Sequence, residues 1–124
     1  MGLDMYAYST ATKPATEVDF NDPEDRVEID YWRKHHDLHG WMERLYRAKG
    51  GIAGPFNCDN VQLTAEDLDE LEQAIKNNAL PETTGFFFGN NPPDNESDEY
   101  DLAFITRARQ ALQDGNYIYY SSWW

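Results

Sequence analysis

A single cysteine, Cys58, stands among the 124 residues. No intrachain disulfide can form, so nothing in the chain points to an oxidising compartment. Cations are also scarce: ten Lys and Arg face 23 Asp and Glu, for a formal net charge of −13. Nucleic-acid phosphates are held by clustered cations, and anionic membrane surfaces by the same chemistry. Direct binding to nucleic acid or to a membrane is therefore not expected. No apolar run approaches the roughly 20 residues of a membrane-spanning helix. The opening Met1-Gly2-Leu3-Asp4-Met5-Tyr6 has an early acid and no basic stretch, unlike a secretory signal. Tyr6 also stands where an N-myristoylation motif needs Ser or Thr. A cytoplasmic location, without a cofactor, is the resulting expectation.

Aromatic residues, by contrast, are abundant at 15% of the chain, which argues against disorder along its whole length. The length suits one domain, residues 1–124. Leu3, Met5 and Ala7 alternate with Asp4, Tyr6 and Tyr8 as in a half-buried strand. Val27 and Ile29 suggest a short second strand after the Asn21-Asp22-Pro23 turn. Residues 31–49 carry Tyr31, His35, Leu38, Met42 and Leu45 at helical spacing, and Gly50-Gly51 stops that helix. Gly40 lies inside it as a possible bend. A second helix is capped by Thr64 and buries Leu68, Leu71 and Ile75, with Leu63 stapled onto Leu68. The glycine-bounded run 85–89 reads as a buried strand rather than a phosphate loop, since neither Lys nor Ser/Thr follows it. A third helix should begin near Asp98 and end at Gly115, and a strand over 117–121 should place Ile118 and Tyr120 on one face. The expectation is an α+β fold: a small, mostly antiparallel sheet packed against about three helices.

Several segments taken together carry a resemblance: Met1-Gly2-Leu3-Asp4-Met5-Tyr6, Tyr31-Trp32-Arg33-Lys34 with His39 and Trp41 following, Gly85-Phe86-Phe87-Phe88-Gly89, and Tyr119-Tyr120-Ser121-Ser122-Trp123. In these the chain resembles a family of small uncharacterised proteins of tailed phages and prophages, over most of its length. The resemblance implies a setting inside a host cell and, by analogy with other small acidic phage proteins, action by binding host proteins.

The acids gather in three blocks, residues 17–30, 59–72 and 94–101, which hold 18 of the 23. In the second helix Glu66 with Glu70, and Asp69 with Glu72, share faces, where like charges are mildly destabilising. Such repulsion is tolerated where the face meets a basic groove, in the extreme as a mimic of nucleic-acid phosphates. The plain alternative is a solvated face that keeps the protein soluble. The candidate partner-binding residues are Asp19, Asp22, Glu24, Asp25, Glu66, Asp69, Glu70, Glu72, Asp94, Glu96, Asp98 and Glu99. The bases segregate instead to the first helix, as Arg33, Lys34, Arg44, Arg47 and Lys49.

His35 and His39, one helical turn apart, are weak candidates for a metal pair, with Cys58 or Asp59 as a distant third ligand. The plainer reading places His35 on the core stripe, with His36 and His39 stacking or hydrogen-bonding near Trp32 and Trp41. Cys58, lacking an activating neighbour, is expected to be a small buried apolar residue. Tyr117, Tyr119, Tyr120, Trp123 and Trp124 suggest packing or a self-association patch rather than a base-stacking platform. No spacing singles out a catalytic carboxylate pair. The leading expectation is a non-enzymatic accessory protein that binds a basic surface of a host protein and blocks a nucleic-acid-binding defence complex by charge mimicry. The rivals are a small metal-binding protein or enzyme built on His35 and His39, and a self-assembling structural protein.

Overall fold

Alternation of apolar and polar side chains sets the first strand, β1 (Asp4–Thr10), with Leu3, Met5 and Ala7 buried and Asp4, Tyr6 and Tyr8 turned to the other face. The structure, a computed structural model, describes residues 3–33, 35–52, 56, 58–77, 79–80 and 95–123, with the backbone alone at 95–98. After β1 come β2 (Val27–Arg33), α1 (His36–Ala48), β3 (Val61–Leu63), α2 (Ala65–Lys76), α3 (Asn95–Gln113) and β4 (Tyr117–Trp123). The strands form one antiparallel sheet in the order β2-β1-β4-β3. Met5, Ala7, Trp32, Ile118 and Tyr120 from its inner face join Leu38, Met42 and Tyr46 of α1, Leu68, Leu71 and Ile75 of α2, and Phe104, Ile105 and Ala108 of α3 in one core. The expected α+β architecture is observed: among the described residues, three helices lie on a four-stranded antiparallel sheet. No helix among those residues is long and apolar enough to cross a membrane.

Local chemistry explains the helix ends. Thr64 caps α2, its Oγ1 accepting the Asp67 N–H while the Asp67 carboxylate accepts the Thr64 N–H at 2.9 Å. α1 ends with Gly50 at φ 100°; the Gly50 N–H donates to Arg47 O at 3.1 Å and the Gly51 N–H to Tyr46 O at 2.9 Å. α3 closes the same way on Gly115 at φ 91°, through bonds to Leu112 and Ala111. These paired bonds satisfy carbonyls that a helix end leaves open.

The structure differs from the expectation at five places. The first helix begins at His36, not Tyr31, because Tyr31, Trp32 and Arg33 pair with Tyr6, Met5 and Asp4 and prolong β2. Tyr31 and His35 fit a helical stripe, but the aromatic pair also fits a strand, and sheet pairing wins. The register of β1 and β2 then shifts between Ala7 and Tyr8, which leaves Ile29 as an extra residue and Val27 60% exposed. The three-residue β3 had no counterpart among the expected strands; it is too short for alternation to declare it. α3 starts at Asn95, a turn before Asp98, and β4 continues past Ser121 to Trp123. Gly40 is buried within a continuous α1, without a break. The run 85–89 lies outside the described residues.

Gly51 matters beyond its turn, because a Cβ built there would overlap the Tyr46 ring. Gly51→Ala should lower stability by about 1–3 kcal/mol through overpacking, read as a lower midpoint in urea. An unchanged midpoint would contradict the contact between this backbone and Tyr46.

Candidate functional site

The face of the sheet opposite the helices is aromatic and acidic. The registers lay it out in three cross-strand rows: Arg33, Asp4 and Trp123; then Tyr31, Tyr6 and Ser121; then Glu28, Tyr8, Tyr119 and Gln62. Rings touch along and across the strands, Tyr6 with Tyr31 at 5.3 Å, Tyr6 with Tyr8 at 6.0 Å and Tyr8 with Tyr119 at 5.1 Å between centroids. Partial burial, with Asp4 and Glu28 nearby, raises the Tyr6 phenol above its ordinary pKa.

The first acidic block is a strap across the last of these rows. It leaves β1 at Thr10, where Asp25 accepts from the Thr10 hydroxyl at 2.5 Å and the Ala11 N–H at 2.8 Å. These bonds hold the Asp25 carboxyl below its usual range. The strap then reaches the far edge of the sheet. There Val18 bridges Val61, and the Gln62 N–H donates to Glu17 O at 2.8 Å. Asp19, at φ 57°, accepts the Tyr46 hydroxyl on both carboxylate oxygens, at 2.7 and 2.9 Å. Phe20 packs edge-on against Tyr119 at 5.1 Å. Asp22 accepts from Asn60 Nδ2 at 2.9 Å and from Tyr119 OH at 3.2 Å, and pairs with Arg26 at 2.8 Å. Arg26 in turn lies over the Tyr8 ring, 5.1 Å from its centroid. Burial, reinforced by Asp22, pushes the Tyr119 phenol far above its ordinary range. The first two rows, by contrast, keep Tyr31 39% and Trp123 65% exposed.

The candidate acids therefore divide. Asp19, Asp22 and Asp25 anchor the strap, while Glu24 is exposed beside them. On α2, Arg109 of α3 binds Glu72 at 3.0 Å and Asp69 at 2.7 Å, which holds the Glu72 carboxyl below its usual range. Glu66 and Glu70 are exposed on the same helix. Glu99 is exposed on α3; Asp94 and the side chains of Glu96 and Asp98 lie outside the description. Among the described residues these acids are divided between the strap and the helices.

Three carboxylates that sequence did not single out are buried. Asp30 takes two guanidinium nitrogens of Arg107 at 2.7–2.9 Å, and Asp67 takes Lys49 Nζ at 2.5 Å. Asp101, fully buried, accepts the Trp32 Nε1–H at 2.8 Å and lies 2.6 Å from His35 Nε2. Among the described residues, seven bases (Arg26, Arg33, Arg47, Lys49, Lys76, Arg107 and Arg109) form ion pairs with acids. Of the bases expected on the first helix, Arg33 is on β2 and Lys34 lies outside the described residues. Glu17, Glu24, Glu28, Glu66, Glu70 and Glu99 are exposed and join no ion pair among the described residues.

The histidines turn to different partners. His35 caps α1: the Leu38 N–H donates to its Nδ1 at 3.4 Å, which assigns the ring proton to Nε2, facing Asp101. His39 is buried under α1, its Nδ1 2.7 Å from the Tyr120 hydroxyl and its ring stacked on Phe56. Among the described residues no group of three or more His, Cys, Asp or Glu is arranged to hold a metal. Cys58, expected in the core, is exposed at φ 63°; it sits where the chain turns toward β3 and its N–H donates to Ser122 O. Partial desolvation of its sulfur, then the nearby Asp59 and Asp22, raise the thiol pKa, away from a reactive thiolate.

Two stability predictions follow from these pairs. Burial, then the neighbouring His36, lowers the His39 pKa from 6.5 to about 4, against a smaller opposing bond from the Phe56 backbone. The unfolded chain then binds more protons than the folded one between those values, so stability falls as pH drops from 6.5 toward 4. The loss should approach about 3 kcal/mol, and His39→Gln should flatten that segment of a urea-stability profile against pH. Asp25 and Glu72 shed their contributions lower, through the depressed carboxylate range. Arg107→Ala should cost about 3 kcal/mol, because it strands the buried Asp30; a cost near zero would show that the pair does not hold α3 to β2.

No known protein-family model matches the chain, and comparison with curated protein sequences and with solved structures finds no match to either.

Proposed function

We propose that this chain is a non-enzymatic binding protein that engages a basic surface of another protein. The observation that carries the reading is the disposition of charge. Among the described residues seven bases are drawn into ion pairs with acids, while Glu17, Glu24, Glu28, Glu66, Glu70 and Glu99 stand exposed outside any such pair, in a chain of formal charge −13. Such a field repels nucleic acid and steers cationic partners. The resemblance to small phage proteins adds that the partner is a host protein met in the host cytoplasm. By analogy with other small acidic phage proteins, that host protein is a nucleic-acid-binding defence complex, blocked by phosphate-like charge.

Affinity capture from host lysate, followed by titration of the captured protein, tests the reading. The partner should carry a basic patch, and affinity should fall steeply between low and physiological salt. Charge reversal should weaken binding at least about tenfold in one of two exposed groups: Glu24→Lys with Glu28→Lys, or Glu66→Lys with Glu70→Lys. Asp69 and Glu72 are left intact because they hold Arg109. Affinity indifferent to salt and to both pairs of reversals would overturn the proposal.

A further inference from the structure

We infer that the open part of the outer sheet face, around Tyr6, Tyr31 and Asp4, docks an extended arginine-bearing segment of the partner. This rests on the basic-partner reading above and adds to it a place and a chemical preference.

The molecule already shows the arrangement, at Arg107 over Tyr100 with Asp30 and, on this face, at Arg26. Arg26 lies over Tyr8 at 5.1 Å while its guanidinium pairs with Asp22 at 2.8 Å. One row along the sheet, Tyr6 and Tyr31 offer another ring pair 5.3 Å apart, with Asp4 adjoining them. The Tyr31 hydroxyl donates to Asp4 Oδ1 at 2.6 Å, which fixes carboxylate and ring together. A ring face beside a carboxylate suits a guanidinium, which stacks and pairs at once and sheds water more readily than an ammonium.

The occupant within reach from the chain itself is Arg33, 3.8 Å from Asp4 with a side chain 63% exposed, a loose contact that an incoming arginine can displace. A second copy of the chain is disfavoured as occupant, since it would bring the same acids to Asp4 and Glu28. Addition of a strand to the edge of β2 is also disfavoured, because the Tyr100 hydroxyl already donates to Tyr31 O at 2.9 Å. The remaining approach is onto the face itself, where the tyrosines present broad rings at low cost in side-chain freedom.

The test is a fluorescence-anisotropy titration of the full chain with labelled hexa-arginine and hexa-lysine peptides at low salt. The arginine peptide should bind several-fold more tightly than the lysine peptide. The double variant Tyr6→Thr/Tyr31→Thr should lose about tenfold in affinity for it and should no longer distinguish the two. Tyr6→Phe/Tyr31→Phe, which keeps the rings, should retain the preference, and thermal unfolding checks that each variant is folded. Binding of both peptides alike, unmoved by loss of the rings but removed by salt, would overturn this site and leave the basic-partner reading standing. Failure of both peptides to bind would overturn the basic-partner reading itself. Self-association abolished by the Thr substitutions would assign the face to a second copy and overturn the site.

Discussion

A carboxylate taken out of water needs a partner, and this chain has less than half as many bases as acids. That constraint shapes the structure. Asp30 and Asp101 are both buried on the contact between β2 and α3, one held by Arg107 and the other by Trp32 and His35. Asp67 does similar work at the start of α2, where it closes the capping box and takes Lys49 from the end of α1. Helices and sheet are thus fastened by polar bonds laid across an otherwise apolar core. Each such ion pair takes up one acid and one base, so the excess of acids over bases is left to the rest of the chain. Among the described residues Glu17, Glu24, Glu28, Glu66, Glu70 and Glu99 face water outside any ion pair, and the proposed function rests on that carboxylate.

The last strand ties the two faces together. β4 lies between β1 and β3, with Tyr119 and Tyr120 turned to opposite sides of the sheet. Tyr120 meets His39 beneath α1, and Tyr119 meets Phe20 and Asp22 of the strap. The strap in turn reaches through the edge of the sheet to Tyr46 of α1 by way of Asp19. An acidic segment that reads as pure surface is therefore half scaffold, and it leaves uncovered the aromatic rows near Asp4.

Much of the fold was legible in the sequence. The alternation of β1, the Thr64 cap, the Leu68-Leu71-Ile75 stripe and the Gly50 and Gly115 ends rest on local chemistry, and they stand as expected. What was not legible depends on distant partners. Tyr31 and Trp32 fit helix or strand until β1 pairs with them, and three residues of β3 carry too little pattern to announce a strand. The site was less legible still. Sequence groups the acids by proximity along the chain, whereas Asp69 and Glu72 are sorted from Glu66 and Glu70 by Arg109, some 40 residues onward. The outer aromatic rows draw Tyr6, Tyr31 and Ser121 from three separate strands, so no run of residues could have marked them.

The central claim is that the carboxylates of Asp4 and Glu28 beside open tyrosine rings form one recognition face. Two-dimensional NMR of the full chain, titrated with the captured basic partner, tests it most directly. The account predicts that shifts concentrate at Tyr6, Tyr31, Asp4 and the Trp123 indole, and that they vanish as salt is raised. Shifts confined to α2, or scattered over the whole surface without a centre, would contradict it.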